Sequence, residues 1–195
     1  MTKHYIKSDA NTAFNEGVKP SLEEVLLHRE NRINFQKKIL KQFDNCILLA
    51  LKVNIPGEIK NNKLIEAILL VGIEKLLNKI KALSLDVLYE KTISLNTGIE
   101  YFVVINSSDL LTVKKQMIAF EDQDSFGRLL DIDVHSNEKT ISRSDIKIPD
   151  RKCYICSLSS KVCTRNKTHA KEELQNKIYE ILKEEGSVVF NEETH

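Results

Sequence analysis

Two carboxylates stand two positions apart in the run Leu130-Asp131-Ile132-Asp133-Val134-His135. Alternating apolar and polar residues are the mark of a half-buried strand, so Leu130, Ile132 and Val134 share one face and Asp131, Asp133 and His135 share the other. Same-face neighbours on a strand lie roughly 6.5 to 7 Å apart at the backbone, close enough for two side chains to converge on one hard cation. Magnesium suits such a pair, because it keeps its remaining positions for water and phosphate oxygens. The competing reading is a solvated edge-strand face that holds nothing. His135 lies on the acids' face and titrates near neutrality, which makes it a candidate base alongside Asp131 and Glu121.

Basic residues surround the acids in sequence: Arg128, Arg143, Arg151, Lys152, Arg165 and Lys167. A guanidinium fork presents two parallel N–H bonds to two phosphate oxygens, so acids and arginines together suit a metal-polyphosphate. The same stretch holds Cys153, Cys156, Cys163 and His169, spaced C-x2-C-x6-C-x5-H. Four soft ligands at this spacing either close a small structural zinc site or sit in a buried loop as reduced thiols.

These residues need elements to position them. Ser21 reads as the N-cap of a helix of about twenty residues with Glu23 and Glu24 in its first turn. The run from Cys46 is apolar on both faces, as in a buried central strand, and turns at Pro56 and Gly57. A helix over 61–82 follows, whose free N-terminal N–H groups suit a phosphate. Residues 85–95 and 99–106 read as strands joined at Asn96-Thr97-Gly98. Ser107, Ser108 or Asp109 caps a helix running to about Phe120, and Glu121 to Phe126 forms an acidic loop before the strand of the acids. A last amphipathic helix spans about Thr168 to Lys183. Strand, helix, strand, strand, helix, strand over 46–135 is the split β-α-β order of a ferredoxin-like, palm-like α+β sheet.

The chain of 195 residues with a net charge of +1 fits one domain and exerts no global pull on nucleic acid or membrane. No long uncharged apolar run marks a membrane span. Four cysteines, three of them clustered, suit reduced thiols in the cytoplasm better than a disulfide framework. The expected layout is a flexible tail over 1–20, one domain over 21–185 with its core sheet at 46–135 and a Cys/Arg-rich loop at 143–169, and a frayed end at 186–195.

The ordered set Gly127, Arg128, Leu129, Asp131, Ile132, Asp133, Val134, Ser142, Arg143, Pro149, Arg151, Lys152, Cys153, Cys156, Cys163, Arg165 and His169 resembles the citrate lyase holo-acyl-carrier-protein synthase family, the apo-citrate lyase phosphoribosyl-dephospho-CoA transferases. Arg29, Glu30, Arg32 and Gln36, the Asn54-Ile55-Pro56-Gly57 turn with Lys60, and Thr97-Gly98 with Glu100 extend the likeness over about residues 22–175. Glu58 and Ile99 stand where the family pattern has proline, and Gln123-Asp124 where it often has His-Pro. The resemblance implies a cytoplasmic enzyme that moves the phosphoribosyl-dephospho-CoA group from 2'-(5''-triphosphoribosyl)-3'-dephospho-CoA to a serine of the acyl carrier (gamma) subunit of citrate lyase. Asp131, Asp133 and His135 would then serve catalysis, with magnesium on the two acids. Asn54, Lys60, Arg128, Arg143, Arg151, Lys152 and Arg165 would contact substrate. The alternatives are the equivalent transferase for the malonate decarboxylase carrier, and a non-catalytic, zinc-clasped module that binds a carrier protein.

Overall fold

The computed structural model describes residues 2–190. Its elements are β1 (His4–Ile6), α1 (Ala10–Asn15), α2 (Leu22–Leu40), β2 (Ile47–Val53), α3 (Lys63–Ala82), β3 (Val87–Leu95), β4 (Gly98–Ile105), α4 (Leu110–Asp122), β5 (Leu130–His135), β6 (Thr140–Ile141), α5 (Ser160–Asn166), α6 (Lys171–Glu185) and β7 (Val188–Phe190). The fold is mixed α+β, built on a five-stranded antiparallel sheet ordered β3-β4-β2-β5-β6.

The two-sided apolar run of β2 explains its central place. Leu49 and Leu51 face a large core with Val103, Ile105, Leu130, Ile132 and Val134, roofed by α3 and α4. On the opposite face Leu48, Ala50, Phe102 and Val104 pack under the end of α2 through Ile39, Leu40 and Phe35. Helix α2 starts at the N-cap expected at Ser21 and closes it as a capping box, with the Ser21 hydroxyl accepting from the Glu24 N–H and the Glu24 carboxylate accepting from the Ser21 N–H. Among the capping candidates for α4, Asp109 accepts from the Thr112 N–H.

Register carries the polar half of that second face. Lys52 on β2 sits opposite Asp131 on β5 and Glu100 on β4, and Ala50 and Leu48 sit opposite Asp133 and His135. The strand of the acids is thus aligned with the sheet's central lysine, and its burial alternates as its sequence does.

The ends of the chain differ from the expected loose tails. Residues 4–6 pair in parallel with Val188–Phe190, and Asp9 caps α1 by accepting from the Thr12 N–H. Ile6, Ala13, Phe14 and Val188 are buried against the main core. A three-residue strand and a one-and-a-half-turn helix are too short to leave a periodic signature, and their stability comes from packing rather than propensity. The remainder of the expected frayed end, 191–195, lies outside the described residues. Helix α6 begins and ends slightly later than expected, closing at Gly186, whose φ of +70° is the left-handed conformation of a helix C-terminus.

Candidate active site

On β5 the two carboxylates point to the same side and meet at one cation. Lys52 Nζ lies 3.0 Å from Asp131 Oδ2 and 2.9 Å from Asp133 Oδ2. Burial opposes ionisation of Asp133, but the Lys52 ammonium outweighs it and holds that carboxyl below its usual range. Burial likewise works against the Lys52 charge, and the attraction of Asp131 and Asp133 overcomes it, raising its pKa.

The outer edge of β5 lacks a full partner strand, and side chains replace it. Lys114 Nζ donates to the Ile132 carbonyl at 3.0 Å, the Glu121 carboxylate accepts from the Ile132 N–H at 2.7 Å, and Arg151 Nη1 donates to the Leu130 carbonyl at 2.8 Å. Only 1% of the Glu121 side chain is exposed, and it is held by Arg151 at 2.6 Å and Arg143 at 2.8 Å. Arg151 continues to Asp131 at 2.9 Å, and Arg143 forks onto Asp122 at 2.8 and 3.0 Å. Burial lowers the pKa of Lys114, with Glu121 offsetting part of the effect. The cost of leaving strand-edge N–H and C=O groups without partners explains why charged residues line a helix face otherwise apolar.

Above this lattice opens a cleft of about 370 Å³, lined by Asn54, Lys114, Asp131, Asp133, Arg143 and Arg151 together with Ser142, Ser144, Ser160 and Lys161. A second cleft of about 520 Å³ begins on the other side of Asp133 and runs to Arg32 and Lys37 of α2, to Lys41 just beyond its end, and to His135 and Lys139. Asp133 and Thr140 border both. His135 is braced between Thr140 and Gln36, its Nδ1 2.7 Å from the Thr140 hydroxyl and its Nε2 3.4 Å from Gln36 Nε2; burial favours its neutral form. Arg32 in turn donates to the buried Glu100 at 2.7 Å.

The cysteines fold into a compact knuckle. The Cys153 N–H donates to the Leu158 carbonyl, α5 follows, and Lys167 takes a left-handed conformation with φ +49°. One ligand atom from each of Cys153, Cys156, Cys163 and His169 lies within 4.8 Å of every other. Cys156 Sγ is 3.4 Å from Cys163 Sγ and 3.3 Å from His169 Nε2. Four soft ligands this close match the edge lengths of a tetrahedral zinc shell, whose bonds are about 2.0 to 2.3 Å. The knuckle is fastened to the sheet by Arg128, which donates to the Lys152 and Cys153 carbonyls at 2.6 Å and stacks on the Tyr154 ring, while the Tyr154 hydroxyl donates to the Asn54 and Arg128 carbonyls. Burial pushes the Tyr154 phenol up to about 12, so it remains a donor.

Comparison with known proteins decides the kinship. The family model for apo-citrate lyase phosphoribosyl-dephospho-CoA transferase matches residues 20–185. The chain belongs to this family. It is 36% identical over 170 residues to a probable apo-citrate lyase phosphoribosyl-dephospho-CoA transferase of Streptococcus pyogenes serotype M18 (strain MGAS8232), covering 83% of this chain and 84% of that one. A Vibrio cholerae serotype O1 (strain M66-2) protein of the same name is 33% identical over 167 residues, covering 83% of this chain and 90% of its own. Protein CitXG of Leuconostoc mesenteroides subsp. cremoris is 31% identical over 172 residues, 87% of this chain and 36% of that longer protein.

In this transferase-family chain the expected site residues divide into three groups. Asn54, Asp131, Asp133, Arg143 and Arg151 gather on the first cleft, and His135 on the second. Arg128 lies behind the cleft as the fastening of the knuckle. Lys60, which donates to the Gly57 carbonyl, and the outward-facing Lys152 and Arg165 do not line it. Sequence reasoning passed over Lys52 and Lys114. Both carried a signal: Lys52 is a single charge inside the apolar β2 run, and Lys114 and Glu121 are seven apart on the apolar stripe of α4. Among the described residues no helix is long and apolar enough to cross a membrane.

Proposed function

We propose that this protein transfers the 2'-(5''-phosphoribosyl)-3'-dephospho-CoA group from its triphosphate precursor to a serine hydroxyl of the apo-acyl carrier (gamma) subunit of citrate lyase, in the cytoplasm, with pyrophosphate released. The observation that carries the reading is the convergence of Asp131 and Asp133 on one cationic point between two clefts rich in arginine and lysine, in a chain whose family is defined by that transfer. The order β3-β4-β2-β5, with α3 and α4 on one face and the acids on the other, supports a ferredoxin-like, palm-like reading of the sheet.

The serine oxygen bonds to the α-phosphorus as the bond from that phosphorus to the pyrophosphate oxygen breaks, so charge grows on the departing oxygens. Arg143, Arg151 and Lys161, all on the first cleft, hold those oxygens, and the basic residues of the second cleft take the rest of the long nucleotide. His135, on the same face of β5 two positions from Asp133 and lining the second cleft, receives the serine proton. The acid pair fits a divalent cation, since both Oδ2 atoms already close on one positive charge within about 3 Å. Magnesium bound there by Asp131 and Asp133 would supply charge neutralisation on the transferring phosphoryl group. Cys153, Cys156, Cys163 and His169 would hold a structural zinc, which would help the knuckle keep Arg151, two residues ahead of Cys153, over the cleft.

Pyrophosphate release with the precursor and the citrate lyase carrier tests the reading. Release that disappears when the acceptor serine is changed to alanine supports it. Release with the malonate decarboxylase carrier and none with the citrate lyase carrier would overturn the substrate assignment, and no release with either would leave a carrier-binding module.

A further inference from the structure

Lys52 places its ammonium between the two carboxylates of β5. Its ammonium is about equally close to one oxygen of each aspartate, at 3.0 and 2.9 Å, and it arrives there from the neighbouring central strand, directly opposite Asp131 in register. It is held on one side only by these acids, and about a third of its side chain is exposed. A metal bonded to the same two oxygens at about 2.1 Å would overlap the ammonium or stand against it at very short range, where like charges repel strongly. Both cations therefore cannot hold the pair together.

We propose that Lys52 is a resident counter-ion that exchanges with the divalent ion: while the cleft is empty it offsets one of the two carboxylate charges between the acids, with Arg151 on the other side of Asp131, and it moves onto the phosphate chain of the arriving nucleotide when the metal takes its place. This rests on the two-acid cation site proposed above. The exchange has two consequences. The empty enzyme keeps a compact acid pair without a metal, because the ammonium relieves the repulsion between two carboxylates on adjacent same-face positions. Metal and polyphosphate also bind as a unit, because the charge displaced by the first is satisfied by the second; either alone leaves Lys52 facing a cation or the acids facing each other. Lys52 is in this sense a positioning residue that makes cation binding conditional on substrate.

Manganese binding to the full chain, followed by the electron paramagnetic resonance of free ion without nucleotide, tests the exchange. Lys52→Met should bind Mn2+ about tenfold more tightly than the parent protein, since the competing charge is gone, and Asp131→Asn introduced into Lys52→Met should abolish the gain. Lys52→Arg, which keeps the charge, should bind as weakly as the parent. Should Lys52→Met fail to fold by circular dichroism, Lys52→Gln takes its place, with a neutral amide that still donates to one carboxylate. Equal affinity in parent and neutral variants, with binding lost in Asp131→Asn, would overturn the exchange and leave the two-acid site standing. A folded neutral variant that binds no Mn2+ would remove the cation site itself, and the exchange with it.

Discussion

At the scale of single residues, the acids and the arginines have different tasks. Asp131 and Asp133 are bordered by solvent and cleft, and the amide of asparagine preserves their shape. Asp131→Asn and Asp133→Asn should each keep the unfolding midpoint near that of the parent while lowering transfer by about a hundredfold, the scale on which a charge-stabilising group is lost; near-normal turnover in either variant would take the pair out of the mechanism. Arg151 is bound into the lattice at the sheet edge as well as facing the cleft. Arg151→Ala leaves a Glu121 carboxylate, 1% exposed, with Arg143 as its remaining ion-pair partner among the described residues and Lys114 nearby. It should therefore destabilise the fold by on the order of 3 kcal/mol in urea titration, in addition to weakening precursor binding. An unchanged midpoint would show that Glu121 is satisfied without it. The period-two pattern made the shared face of the acids legible, because side-chain direction in a strand is local. The partners of Arg143 and Arg151 were not legible. They depend on which backbone groups of β5 lack a neighbouring strand, and that is a property of the assembled sheet.

At the scale of elements, the knuckle from Lys152 to His169 decides where Arg151 stands. The spacing of its three cysteines and histidine was readable, and so was the possibility of a clasp; the attachment through Arg128 and Tyr154 was not, because both serve long-range backbone carbonyls. Cys156→Ser should lose the zinc measured by elemental analysis and open residues 152–169 to limited proteolysis, while the core sheet keeps its far-ultraviolet dichroism. Parent protein purified folded but free of zinc, with the same proteolysis pattern as Cys156→Ser, would contradict a zinc clasp. Gly127 shows a further constraint of this region. A Cβ there would lie 2.6 Å from the Phe120 carbonyl oxygen and 2.9 Å from that of Glu121, so only glycine lets the chain leave α4 tightly enough to enter β5 beneath the Glu121 lattice. Its place in the Gly127-Arg128 pair is thus structural, whatever the neighbouring arginine does.

At the scale of the molecule, the sheet joins a core roofed by α3 and α4 to a half-open face where α2 covers the apolar part and the clefts occupy the rest. Element order between β2 and β5 was readable, since each helix stripe and strand run is long enough to show its period. The closure of the two chain ends was not: β1 and β7 are three residues each, and their pairing couples the most distant parts of the sequence. Deleting residues 1–8 should remove the β1 partner of β7 and the buried Ile6, lowering the thermal midpoint by several degrees, in line with the loss of about 1 to 2 kcal/mol for a domain of this size. A midpoint equal to the parent's would return this segment to the loose tail its composition suggests.

Transfer to a carrier serine from a site built on Asp131 and Asp133 should depend on a divalent cation. Its most direct test is the intact mass of apo-acyl carrier subunit of citrate lyase after incubation with this protein and 2'-(5''-triphosphoribosyl)-3'-dephospho-CoA, with magnesium, with EDTA, and with Asp131→Asn in place of the parent. The predicted result is a mass gain equal to the prosthetic group with the parent and magnesium alone. A gain of the same extent with EDTA or with Asp131→Asn would remove a two-aspartate cation site from the transfer.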